Sequence, residues 1–165
     1  MLKTNLLTIL KEKSRINYEN FLKTMEVGKV TAEEESEFFK TAPDDWIADY
    51  ISVTYPQPAS ERILMVSGSE ETLKKSYDLW GFWDENVNWA FACSTEKVCK
   101  RIISCMSYYP GYEAENLMLN RNSNDLLKLW VEKYKTLSEE SEKRLHEELK
   151  LAGLKEIYIL SQIDK

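Results

Sequence analysis

The sequence predicts an all-α protein, a short α-solenoid of about six antiparallel helix pairs stacked in a row. Three observations carry that expectation. The chain is poor in the residues that tight β-turns need, with 5 Gly and 4 Pro in 165 residues, and rich in the helix formers Leu, Glu and Lys. Its apolar residues fall at helical rather than alternating spacing. A unit of helix, polar break and helix recurs every 26–28 residues, inside the window that marks repeat architectures.

The elements follow in order. Residues 3–13 place Leu6, Leu7 and Leu10 on one helical face. Ser14 can cap a second helix bearing Ile16, Phe21, Leu22 and Met25, which Val27-Gly28-Lys29 ends. Thr31 opens the next helix, with Glu34 three positions on completing a capping box. Phe38 and Phe39 are its apolar residues, and Pro43-Asp44-Asp45 breaks it and starts the partner helix at Trp46. Pro56-Gln57-Pro58 separates this pair from residues 59–82, the clearest copy, which breaks at Ser67-Gly68-Ser69. Asp84 can begin a helix through Trp89 and Phe91, and Ser94-Thr95-Glu96 opens the helix over 98–106. After Pro110-Gly111 come Tyr112–Leu119, a break over 120–124 and a helix over 126–134. Thr136 with Glu139 forms a second capping box before a charged helix, a break at Gly153 and an apolar segment over 154–160.

In the second helices Trp46, Leu73, Cys99, Leu127 and Leu154 align in one column, and Tyr50, Tyr77, Ile103, Val131 and Tyr158 in another. A looser copy centred on Phe21 extends the series towards the start. Helices of about ten residues are too short to stand alone in water, so each needs neighbouring pairs over its apolar face. In this spacing and punctuation the units resemble the short helix pairs of HEAT-like α-solenoids. The resemblance covers most of the chain. It implies a fold and a habit of binding other molecules, and it carries over no catalytic residue; the length of 165 residues suits a single repeat domain over residues 1–165.

Composition narrows the function. Hydrophobic residues at 43% and charged residues at 30% suit a folded globular chain. The net charge of −6 and a pI near 5.0 disfavour nucleic acid, whose binders present a basic footprint. No apolar run reaches the roughly 20 residues of a membrane span. Three cysteines without paired spacing, and no secretory leader, point to the cytoplasm. Cys93, Cys99 and Cys105 lie six apart on different helical faces, so buried structural thiols are expected and no metal site. His146-Glu147-Glu148-Leu149-Lys150 begins like a zinc-protease helix, but Lys150 stands where the second histidine would be needed. With one histidine and no nucleophile or phosphate-loop motif, no enzyme and no cofactor are expected.

What remains is a binding surface. One position after the Leu73 column stand Lys74, Lys100, Lys128 and Lys155, with Ile47 interrupting the series. Stacked helices would set them in a line suited to an acidic peptide or a phosphate backbone, although solvated helix edges produce the same pattern. Aromatics crowd at Trp80-Gly81-Phe82-Trp83, and Trp83 falls outside the helical stripe, which suits an exposed anchor. Residues 31–51 hold seven acids against Lys40. Most sit in helix first turns, where the macrodipole favours them, while Asp44, Asp45 and Asp49 form a patch that suits a basic partner. The expected function is a non-enzymatic module that holds a protein or peptide, with Lys74, Lys100, Lys128, Tyr77 and Trp83 as contacts. The alternatives are a HEAT-like nucleic-acid binder and an acidic, immunity-type inhibitor that blocks a basic site.

Overall fold

A computed structural model describes residues 5–24 and 29–134. Ten helices and no strand occupy them: α1 Leu6–Glu12, α2 Arg15–Lys23, α3 Ala32–Thr41, α4 Asp44–Val53, α5 Pro58–Ser67, α6 Glu70–Trp80, α7 Asp84–Cys93, α8 Glu96–Cys105, α9 Tyr112–Leu119 and α10 Asn124–Tyr134. The all-α expectation holds over these residues. The capping box at Thr136, the residues His146 to Lys150, the column members Leu154 and Tyr158, and Lys155 lie outside the described residues. Contacts divide the chain into two compact units, Met1–Asn86 and Val87–Lys165.

In the first unit α1 packs on α2 and α3, α3 on α5, α5 on α6, and α4 on α6. First helices therefore touch first helices, and second helices touch second helices. In the second unit α10 packs on α8 and on α9. The buried residues obey a strict register. First helices bury Glu35, Phe38 and Phe39, then Ser60, Glu61, Leu64 and Met65, then Asn86, Val87, Ala90 and Phe91, then Ala114, Glu115, Met118 and Leu119. Second helices bury Trp46, Ile47, Tyr50 and Ile51, then Thr72, Leu73 and Ser76, then Val98, Cys99, Ile102 and Ile103, then Leu126, Leu127, Trp130 and Val131.

This register corrects the alignment by one residue at α4. Trp46 matches Thr72, and Ile47 matches Leu73, so Ala48 is the residue that interrupts the lysine series. Tyr50 then matches the buried Ser76, and Tyr77, left half-buried, matches Ile51. Large aromatics at 46 and 50 mask the offset because they look like strong column members in either register.

Helix starts follow the sequence closely. Asn5, Ser14, Thr31, Ser69 and Thr95 each accept a backbone N–H from the third residue on. At Thr31 the box is half formed: the hydroxyl accepts from Glu34 N, but the Glu34 carboxylate accepts Leu6 N at 2.7 Å, relieving an orphan donor at the start of α1. Gly81 ends α6 at φ +76° and ψ −176°, a conformation open almost only to glycine.

The first unit is built on an aromatic core. Tyr18 stacks flat on Trp46 at 4.5 Å, and Phe38, Phe39 and Tyr50 complete the cluster. In the second unit Trp130, fully buried, meets Phe91, Tyr109 and Tyr134 edge to face.

A candidate binding cleft on the first unit

Backbone carbonyls at the ends of one helix pair are capped by side chains from 27 to 30 residues further on. Trp80 Nε1 donates to Ile51 O, and Trp83 Nε1 to Pro56 O, both at 2.8 Å. In the second unit Arg121 donates to Phe91 O and Ser94 O, Lys133 to Ser104 O, and Tyr134 to Met106 O. Such bonds satisfy the carbonyls left over where a helix stops.

At α6 this device leaves apolar faces open. Trp80 and Trp83 have their polar edges tied down, yet they remain 46% and 38% exposed, and Tyr55 beside them is 52% exposed. Tyr55 lies 5.9 Å from the Trp80 ring and 5.8 Å from the Trp83 ring. With Pro56, Gly81, Phe82 and Glu61 these residues line an open cleft of about 260 Å³. The left-handed turn at Gly81 sends the chain back so that Phe82 and Trp83 join the wall. Rings fixed by their N–H groups and exposed on their faces lose little freedom on contact, which is how aromatic hot spots act.

Glu61 also lines this cleft, although it is only 1% exposed. Its Oε1 accepts Trp83 N at 3.0 Å and Asn86 Nδ2 at 2.9 Å. Asn86 is itself held by Pro58 O and by Arg62 Nε. Within the described residues no hydrogen bond occupies Glu61 Oε2 and no salt bridge neutralises the carboxylate. Burial pushes its pKa up from 4.5 to about 7, against the lowering effect of its two hydrogen bonds, and Glu85 adds a like charge.

Glu61 has equivalents. Glu35, 2% exposed, accepts Gln57 N at 2.7 Å and the Tyr50 hydroxyl at 2.6 Å. Glu115 is fully buried near Tyr109, whose hydroxyl is raised by burial and then by Glu115. The N–H donors to Glu35 and Glu61 both come from 22 residues further along the chain. These glutamates correct the first-turn reading of Glu35: it is a buried seam residue, not only a helix-dipole charge. The signal was present as an acid at the fourth position of α3, α5 and α9, with Val87 at that position of α7. Tyr55, in the connection after α4, carried no such periodicity.

The residues expected from the sequence are placed as follows. Lys74 lies 5.8 Å from the Tyr77 ring centre and is paired with Asp78. Tyr77 packs on Phe82 at 5.0 Å, so Lys74, Tyr77 and Trp83 belong to one neighbourhood. Lys100 and Lys128 belong to the second unit. Lys100 bridges Glu96 at 3.1 Å and Asp125 at 3.4 Å, and the hydrogen bond to Glu96 leads in raising its pKa. Lys128 is exposed. Asp45 and Asp49 both pair with Arg15, whose guanidinium lies over Tyr18 and Trp46. Asp44 stands exposed in the first turn of α4. Cys99 and Cys105 are buried as expected, but Cys93 is exposed, because at the end of α7 it falls two positions beyond the inward Phe91.

A second cleft in this unit, of about 840 Å³, is lined by Leu7, Leu10 and Trp46 with Lys11, Lys13 and Arg15. Among the described residues, no three His, Cys, Asp or Glu side chains stand together as metal ligands, and no helix is long and apolar enough to cross a membrane. No protein-family model matches the sequence, and no curated protein and no solved structure matches it.

Proposed function

We propose that this protein is a non-enzymatic interaction module, a short HEAT-like α-solenoid that engages a protein or peptide through the cleft formed by Tyr55, Trp80 and Trp83. Support for the solenoid comes from the register of buried residues and from the packing of first helices on first helices within the first unit. The single observation that carries the binding assignment is the pair of half-exposed indoles, each fixed through its N–H to a backbone carbonyl of the preceding pair. Stability alone does not call for three large ring faces left open side by side. Lys74 and Tyr77, adjoining through Phe82, extend the contact surface.

The test is affinity capture from the native lysate with the wild-type chain and with Trp83→Ala. The expected result is a discrete partner held by the wild type and lost by at least tenfold in the variant, the usual scale for truncating a central aromatic anchor. A partner captured equally by both would overturn the assignment of this cleft. A cytoplasmic setting belongs to the same proposal, and fractionation checks it.

A further inference from the structure

The chemistry of the cleft points to the kind of group it receives. Its walls are ring faces, which carry negative potential and attract cations. Glu61 lines the cleft as well, and among the described residues its Oε2 accepts no hydrogen bond and no cation pairs with it. Asp84 and Glu85 follow Trp83 directly, exposed in the first turn of α7, and the charge of Glu85 is felt at Glu61. The neighbouring cations are engaged: Arg62 donates to Asn86 Oδ1 at 2.7 Å, and Lys74 is paired with Asp78. A volume of about 260 Å³ lies below the roughly 300–1,000 Å³ of sites for drug-sized ligands and cofactors. It suits the end of one side chain.

We infer that the cleft receives the cationic headgroup of a lysine or arginine from the partner protein, its charge against Glu61 Oε2 and its stem across Tyr55, Trp80 and Trp83. This rests on the interaction reading above and adds the chemical class of the contact. A buried carboxylate without a counter-charge is costly, and an incoming cation would supply that charge only in the complex. Selectivity follows from the same geometry, because a neutral side chain of equal length gains the ring contacts but not the charge.

The test uses the full chain, labelled with nitrogen-15, and follows the indole N–H resonances of Trp80 and Trp83. Three probes are titrated separately: the N-acetyl methylamides of lysine and of norleucine, and tetramethylammonium. The expected result is a saturable shift of both resonances with the lysine probe and about tenfold weaker binding of the norleucine probe. Glu61→Gln should weaken the lysine probe about tenfold and leave the norleucine probe unchanged. Tyr55→Ala, at an exposed position, serves if Glu61→Gln fails to fold, and should weaken the lysine probe more than the norleucine probe.

Equal response to lysine and norleucine would overturn the inference in favour of a purely apolar cleft. Response to tetramethylammonium without response to lysine would assign a free quaternary ammonium ligand and overturn the side-chain source. No response to any probe, with partner capture still lost in Trp83→Ala, would overturn the cation while leaving the interaction reading intact. No response together with undiminished capture would remove both.

Discussion

Glu61 concentrates the physical tension of the first unit. Its carboxylate is buried and twice hydrogen-bonded, yet its pKa stands at about 7 rather than 4.5, with desolvation as the leading cause. The native state therefore holds a proton across a range where the unfolded chain has released it. Stability from this group is fully present below about pH 4.5 and is lost as pH rises to about 7. The expected magnitude is on the order of 3 kcal/mol over that window. Denaturant titrations of wild type and Glu61→Gln at pH 4.5 and pH 8 check it. The variant keeps an acceptor for Trp83 N and Asn86, so the wild type should lose stability relative to it as pH rises. A difference that stays constant with pH would show that the carboxylate is not desolvated. Residue scale is also where the sequence was least legible. Glu35, Glu61 and Glu115 are ordinary first-turn acids by composition, and only their burial distinguishes them. Nothing in the residues around Tyr55 signals that two indoles 25 and 28 positions later close on it.

At the scale of elements, the helices were legible because each boundary is set locally. Asn5, Ser14, Thr31, Ser69 and Thr95 cap, and Pro43 and Pro58 sit where a missing N–H costs nothing. What joins one pair to the next was not legible, since it runs through side chains that reach a backbone carbonyl 27 to 30 residues away along the chain. The junction between α6 and α7 shows how narrowly such a connection is specified. Gly81 has open space around its Cα, so a methyl group there meets no neighbour, and the cost of Gly81→Ala is purely conformational. At φ +76° and ψ −176° that cost should be about 1–3 kcal/mol. Thermal unfolding of Gly81→Ala against wild type measures it. The strained loop should also displace Trp83, so ligand response at the cleft should fall along with stability. A variant as stable as wild type would mean that the turn after α6 has another conformation.

For the molecule as a whole, the all-α class was visible in the sequence because its apolar residues fall at helical spacing, and from α3 to α10 the buried residues keep that spacing. The one-residue error at α4 arose because Trp46 and Tyr50 satisfy either register as apolar residues, and only burial of Ile47 and Ile51 decides between them. Charge is distributed in the same economical way. Of the lysines expected to line a groove, Lys74 and Lys100 are paired with acids on their own helices. Asp45 and Asp49, expected to face a basic partner, hold Arg15. In the first unit the exposed rings of Tyr55, Trp80 and Trp83 instead stand together at one cleft. The proposed function requires this cleft to be where the protein meets another. Site-specific photo-crosslinking tests it most directly, with a benzoylphenylalanine placed at Tyr55 or, as a control, at Tyr108, which is 81% exposed in the second unit. The expected result is one discrete adduct from position 55, none of comparable yield from position 108, and a partner peptide bearing lysine or arginine at the crosslink. Crosslinking from position 108 alone, or equally from both positions, would contradict it.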